Sequence, residues 1–177
     1  MQTPQTIAVI GAAAIGKGIT RGLACGRDKI ILCDTDFDAI QSFTKELQAQ
    51  RPGCDVEALH CSYEATWEAD IIVLALESCP DRREIAKKIK AVASQKIVII
   101  VDDGVQELEQ LLPHSRIVRA FYNMDPEKFN GSDQQPQNMD CYVSGRDPEA
   151  VQMVAALVQS MGLNPVVVPG PATVPGL

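Results

Sequence analysis

Ile7-Ala-Val-Ile-Gly11-Ala-Ala13-Ala-Ile-Gly16 is the stretch that decides the fold. Ile7–Ile10 is a short apolar run that reads as a buried strand ending at Gly11, and Ala14–Ala24 follows as a helix. Gly11 permits the tight turn from strand to helix, and Gly16 lets the helix lie close on the strand. The spacing is that of a G-x-G-x-x-G phosphate-binding turn, with Ala13 in place of the second glycine. Backbone N–H groups at the helix start, near Ala13–Ile15, then offer an anion site at the positive end of the helix dipole. The Ala13 methyl crowds the approach of a pyrophosphate without closing it. The alternative is an ordinary strand–turn–helix that holds no ligand.

Outward from this unit the same rhythm repeats. Lys29–Cys33 is a second strand, ending at Asp34, and Phe37–Gln50 is a helix with Ile40, Phe43 and Leu47 on one face, stopped by Pro52-Gly53. Val56–His60 is a weaker strand. Asp70–Leu76 and Lys96–Val101 are apolar enough for strands buried on both faces, and Asp81–Ala93 between them carries Ile85, Ile89 and Val92 at helical spacing. A short helix at Val105–Leu112, a strand at Arg116–Phe121 and a polar, proline-containing loop at Tyr122–Asn138 come next. Cys141–Ser144 is a strand. Pro148–Met161 is a helix with Asp147 as N-cap, Pro148 at its first position and Gly162 as its stop. Val166–Val168 is the last strand. With no repeat and no linker, the pattern predicts one α/β domain of Rossmann type, a doubly wound and mostly parallel sheet over residues 1–168, followed by an irregular Pro/Gly-rich tail at 169–177.

Asp34 stands about twenty residues after the glycine turn, where a carboxylate accepts from both ribose hydroxyls of a dinucleotide. The same carboxylate repels a 2′-phosphate, and Thr35, Asp36, Phe37 and Asp38 after it include no base. NAD is therefore the expected cofactor, ahead of NADP. Asp36 reads as the N-cap of the next helix, and capping is the alternative for Asp34 as well. The expected cofactor-binding residues are Gly11, Ala12, Ala13, Ala14, Ile15, Gly16, Asp34 and Thr35, joined by Ala75, Leu76 and Glu77 after the fourth strand and Asp102 after the fifth.

Composition narrows the partners. A net charge of -7 leaves no basic footprint for nucleic acid or anionic lipid, so any phosphate must be held locally. No apolar run reaches the ~20 residues of a membrane helix. The six cysteines show no C-x-x-C spacing and have only His60 and His114 as nitrogen partners, so no metal site is expected. Without a signal-peptide pattern at the N-terminus, they read as reduced thiols of a cytoplasmic protein.

Several stretches carry a family resemblance. Gly11-Ala-Ala-Ala-Ile-Gly-Lys-Gly-Ile-Thr-Arg-Gly-Leu23 resembles the opening of pyrroline-5-carboxylate reductases and of deazaflavin (coenzyme F420)-dependent NADP oxidoreductases. Ala69-Asp70-Ile-Ile-Val-Leu-Ala75 is similar to the fourth strand of these families, and Gly104–Pro113 with Arg116–Asn123 to the strand, short helix and strand of the reductases. Arg119-Ala-Phe121 resembles a Lys-Ala-Phe-Asn stretch of the deazaflavin enzymes, and Ser144–Gly162 with Pro169-Gly170-Pro171 the end of their domain. The resemblance implies an NAD(P)-binding domain and hydride transfer to or from a small or flavin-like acceptor. Departures accompany it. Glu77-Ser78 stands where the pyrroline enzymes carry lysine–proline, and Asp102-Asp103-Gly104 replaces an asparagine–proline of the deazaflavin enzymes. Asp34 opposes the NADP choice of the latter, and the helices that complete the substrate half of both families are not recognisable.

Hydride transfer needs positioning more than acid–base help, so a missing triad excludes nothing. After the sixth strand, Asn123 could hold a carboxamide or substrate oxygen and Tyr122 could donate a proton; a loop-forming asparagine and a half-buried loop tyrosine are the alternatives. Asp102 and Asp103 could couple as a carboxylate pair, or simply turn the chain before Gly104. The expected function is that of an NAD(P)-dependent oxidoreductase. The alternatives are a catalytically silent NAD-holding module, serving as redox sensor or partner subunit, and a reductase whose substrate domain is lacking or lies on another chain. The sheet edge near Val166–Val168 predicts a homo-oligomer or a partner chain.

Overall fold

Apolar strands alternating with amphipathic helices bury both faces of a sheet only when helices are wound onto each. The computed structural model, which describes residues 3–77, 79–127 and 138–170, has this architecture. The first half runs β1 (Thr6–Ile10), α1 (Ala14–Leu23), β2 (Lys29–Cys33), α2 (Phe37–Gln50), β3 (Asp55–Leu59), α3 (Ser62–Glu68) and β4 (Ile71–Leu74). The second runs α4 (Cys79–Ile89), β5 (Ile97–Ile100), α5 (Val105–Leu111), β6 (Arg116–Arg119), β7 (Asp140–Gly145), α6 (Pro148–Ser160) and β8 (Asn164–Val167). The sheet order is β3-β2-β1-β4-β5-β6-β7-β8. Its first six strands are parallel, β7 runs against β6, and β8 is parallel to β7. The order 3-2-1-4-5-6 is that of a Rossmann sheet, whose direction of winding reverses between β1 and β4. Ile10 faces Cys33 on one side and Leu74 on the other, so the carboxyl ends of β1, β2 and β4 meet at that point.

Strand alternation sorts the core into two layers. Ile7 and Val9 pack with α1, α2 and α6, whereas Ala8 and Ile10 pack with α3, α4 and α5. β1 and β4 are buried on both faces, as their unbroken apolar runs require.

The capping expectations are met. Asp36 accepts from the Ala39 N–H at 3.1 Å, Asp147 accepts from the N–H groups of Glu149 and Ala150, and Gly162 leaves α6 at a φ of 81°. The element missed by sequence reading is α3. Ser-Tyr-Glu-Ala-Thr-Trp-Glu shows no apolar stripe because Tyr63 and Trp67 point outward, leaving Trp67 68% exposed while Ala65 alone reaches the core cluster. The sixth strand stops at Arg119, short of Phe121, because Phe121 takes a φ of 63° and opens a turn closed by the Met124 N–H. β8 begins earlier than expected, at Asn164. The N–H groups of Asn164 and Val168 donate to the carbonyls of Met139, just before β7, and of Val143 within it, so alternation turns Pro165, which lacks an N–H, to the open edge.

Residues 128–137 of the expected loop and 171–177 of the expected tail lie outside the described residues, as does Ser78 of the Glu77-Ser78 pair. No described helix is long and apolar enough to cross a membrane.

Candidate functional site

The site starts from two glycines that nothing larger could replace. At Gly11, with φ 107°, a Cβ would stand 2.3 Å from the Ala75 carbonyl oxygen; at Gly16 it would stand 1.9 Å from that of Gly11. The Gly11 N–H donates to Cys33 O at 2.8 Å and the Ala75 N–H to Ile10 O at 2.9 Å, which ties the three strand ends together. α1 opens from this turn with Ala13 as N-cap, and no side chain caps it. Its first-turn N–H groups lack the acceptor that a Ser, Asp or Asn would provide there.

Above the turn lies a crevice of about 370 Å³, within the range of small-molecule sites. Asp34 stands in its wall and is held from both sides: Oδ2 accepts from the Ala12 N–H at 2.7 Å and Oδ1 from the Asp36 N–H at 3.1 Å. A carboxylate has about four lone-pair directions, so acceptor capacity remains for a ligand. Leu76 and Ile85 supply apolar wall. Cys33 adds to it, because burial pushes its thiol up to about 11 and keeps it protonated at neutral pH. The ionisable lining is unbalanced: Asp34, Glu77, Asp81 and Glu84 stand against the single ammonium of Lys88.

Of the residues expected from sequence, Gly11, Ala12, Ala13, Asp34, Thr35, Ala75, Leu76 and Glu77 line this one crevice. Ala14, Ile15 and Gly16 form the first turn of α1 beneath it. Asp102, also expected at the cofactor, does not line this crevice. Its Oδ1 accepts from the Gly104 N–H at 2.8 Å, while its other oxygen pairs with Arg82, a 4% exposed guanidinium that needs anionic partners. Glu107 is the second partner of Arg82, at 2.9 Å, and also pairs with Arg83; these hydrogen bonds, Arg83 first, hold the Glu107 carboxyl below the usual range. Asp103 pairs instead with Arg119. The carboxylates of the two neighbouring aspartates thus pair with different arginines.

Tyr122 and Asn123 also lie away from the crevice. Asn123 donates from Nδ2 to Asp140 O at 2.7 Å and accepts from the Tyr142 N–H at 3.1 Å, so its amide extends the β6–β7 pairing, which is the loop-forming alternative. The Tyr122 ring lies under the Arg119 guanidinium at 3.7 Å. Tyr122 and Arg119, with Gln106 and Ser144, line a separate hollow of about 450 Å³. Conversely, His60, Ser62, Asp81, Glu84, Ile85 and Lys88 line the crevice without having been expected from sequence. Asp81, Ile85 and Lys88 share one helical face, a signal present in the sequence; which side of the sheet that face meets is not. Among the described residues no group of three or more His, Cys, Asp or Glu could hold a metal ion.

The family model described as NADP oxidoreductase, coenzyme F420-dependent, matches residues 6–104, from β1 to the start of α5. Solved structures share the fold. The hypothetical protein SMa0349 from Sinorhizobium meliloti is 21% identical with a TM-score of 0.76, over 94% of this chain and 85% of that one. A candidate F420-dependent NADP-reductase from Arthrobacter sp. FB24 is 17% identical with a TM-score of 0.75, over the same shares. A 3-hydroxyacyl-CoA dehydrogenase from Archaeoglobus fulgidus is 18% identical with a TM-score of 0.74, over 96% of this chain and 58% of that one. No curated protein matches the chain.

Proposed function

The chain belongs to the coenzyme F420-dependent NADP oxidoreductase family, and from that premise we propose that it binds NAD in preference to NADP and serves hydride transfer between the nicotinamide and a small or flavin-like acceptor. The family and the fold make it an NAD(P)-binding oxidoreductase domain. The observation that carries the finer reading is Asp34, fixed by two backbone N–H groups beside the uncapped end of α1.

The residues fit a dinucleotide. First-turn N–H groups of α1 suit a pyrophosphate, and Asp34 suits the ribose diol. A nicotinamide held there would supply the hydride chemistry, in either direction, and the chain's own part would be to bind and orient it and to exclude water. The same lining disfavours a 2′-phosphate. A pair of like unit charges 4 Å apart costs about 1 kcal/mol in water and about 4 at an effective dielectric of 20, and four carboxylates here face one ammonium.

Titration with NADH and with NADPH, followed by nicotinamide fluorescence, tests this. NADH should bind more tightly. Asp34→Ala should weaken NADH about 10-fold or more, the usual worth of hydrogen bonds to a charged group, and move the preference toward NADPH. Failure of both to bind overturns the reading and points to Ala13 as having closed the pyrophosphate site.

A catalytically silent NAD-holding module is the second reading. It is favoured by Asn123, whose amide is spent on β7; binding without turnover on any acceptor is its signature. A second copy or a partner chain belongs to either version. β8 is an edge strand with Val167 half exposed, and the opposite face of β7 leaves Tyr142 38% exposed. Since Pro165 blunts the open edge, that face is the better surface for assembly. Light scattering should show more than the monomer mass, and a stable monomer over a wide concentration range sinks the idea.

A further inference from the structure

α3 presents two unlike faces. Ser62, Ala65 and Thr66 are buried, while Tyr63, Glu64, Trp67 and Glu68 are exposed, so two aromatic rings and two carboxylates share the outward face. Residues four apart are neighbours on a helix surface, which sets Tyr63 beside Trp67 and Glu64 beside Glu68. The backbone beneath the rings is fixed. The Lys96 ammonium donates to Thr66 O at 2.7 Å and to Trp67 O at 2.9 Å, closing the C-terminal end of the helix. A patch held in this way loses little freedom when something docks on it.

Elsewhere the chain covers aromatic faces with its own cations. Lys17 and Arg21 lie over the Phe43 ring, and Arg119 over that of Tyr122. Tyr63 and Trp67 have neither a cation nor a ring against them among the described residues, although tryptophan is the best of the side-chain rings for a cation. Lys29 is spent on Glu57 at 3.0 Å and Glu68 at 3.3 Å, and Glu64 has no ion-pair partner among the described residues. Charge decides the occupant. A second copy laid on this face by a two-fold axis would set Glu64 and Glu68 close to their own counterparts, and like charges oppose that. Nucleic acid and anionic lipid are repelled by the same carboxylates and by the net charge of -7. Arginine suits the face twice over: its planar guanidinium stacks on a ring and donates to a carboxylate.

We propose that the outward face of α3 docks an arginine-bearing segment of a partner protein, with Tyr63 and Trp67 receiving guanidinium planes and Glu64 their charge. None of these three residues lines the crevice, so the proposal stands apart from the dinucleotide reading. The contact is small and partly electrostatic, which makes it a weak, salt-sensitive docking site.

Trp67 is the single tryptophan of the chain, so tryptophan fluorescence reads this face alone. The full chain is titrated with hexa-arginine and, separately, hexa-lysine at low salt, by fluorescence and by calorimetry. The variants are Trp67→Ala, Glu64→Gln and Glu46→Gln, the last on α2 at the opposite face of the sheet. Hexa-arginine should change the Trp67 emission saturably and bind more tightly than hexa-lysine. Its affinity should fall about 2- to 5-fold in Trp67→Ala, the range of an exposed cation–π contact, and fall in Glu64→Gln as well. Glu46→Gln should bind like the wild type, and NADH affinity should be the same in all four proteins. Trp67 is exposed, so its replacement should leave the circular dichroism unchanged. An unaltered emission, or an equal loss in Glu46→Gln, would mean general attraction to an acidic chain and overturns the proposal. Equal binding of the two peptides removes the stacked guanidinium and overturns it too. A wild type that self-associates, with a smaller mass by light scattering in Trp67→Ala, would make a second copy the occupant and also overturns it.

Discussion

α1 and α6 are both amphipathic helices packed on the same face of the sheet, but their N-termini are built in opposite ways. α6 is finished: Asp147 accepts from two of its N–H groups, Pro148 occupies the first turn, and Arg116 from β6 forks onto the cap at 2.6 and 3.2 Å. α1 is left open, with Ala13 where a capping side chain would stand. A missing cap costs about 0.5–2 kcal/mol. The far end of the sheet spends its polar side chains on holding itself together; the crevice end keeps its backbone donors unspent. A ligand-binding end can be recognised by what it leaves undone.

The comparison can be broken most forcefully at the turn beneath α1. Gly16→Ala puts a Cβ against the Gly11 carbonyl, a backbone atom that cannot step aside. Urea unfolding should show a loss of about 3 kcal/mol or more, in the range of backbone-strain substitutions, with NADH binding abolished. Near-wild-type stability would mean that α1 and β1 are less tightly joined than they stand.

Exchanging the two designs sharpens the comparison. Ala13→Asp gives α1 the cap that α6 has. Unfolding should show a gain of about 1 kcal/mol, while NADH affinity falls at least 10-fold because the new carboxylate takes the N–H groups and repels the pyrophosphate. If stability and affinity rise together, the open helix end is not where the phosphate goes.

The smallest effect belongs to the finished end. Hydrogen bonding from Arg116, then from the Ala150 N–H, holds the Asp147 carboxyl at about 2, below its usual 3.8. A lowered carboxylate pKa stabilises the fold above the unfolded value, and that stability is lost as pH falls through the folded one. With the side chain 37% exposed, solvent screening leaves about 1 kcal/mol. Asp147→Asn should therefore lower the thermal midpoint at pH 7, approach wild type between pH 4 and about 2, and leave NADH affinity unchanged. A difference that persists at pH 2 would assign the loss to capping geometry and not to charge.

How much of this was legible depended on the range of each cause. Asp36 and Asp147 were readable as caps because a cap is satisfied within three residues. α3 was illegible because its large apolar residues, Tyr63 and Trp67, face away from the core. Asp102, expected at the cofactor from its place after the fifth strand, pairs with Arg82, and the Asn123 amide donates to β7; neither partner is a sequence neighbour.

By itself, then, the chain's order of residues determined the strand–helix alternation, the glycine turn, the bounds of β2 and α2, and the carboxylate at the end of β2, all of which follow from periodicity, sterics and hydrogen bonds between near neighbours. Only the tertiary structure decided that His60, Ser62 and one face of α4 close over that turn, and that Asp102 and Asn123 are spent elsewhere. Those outcomes depend on which distant groups the sheet order brings within hydrogen-bonding reach, and a local pattern carries no record of them.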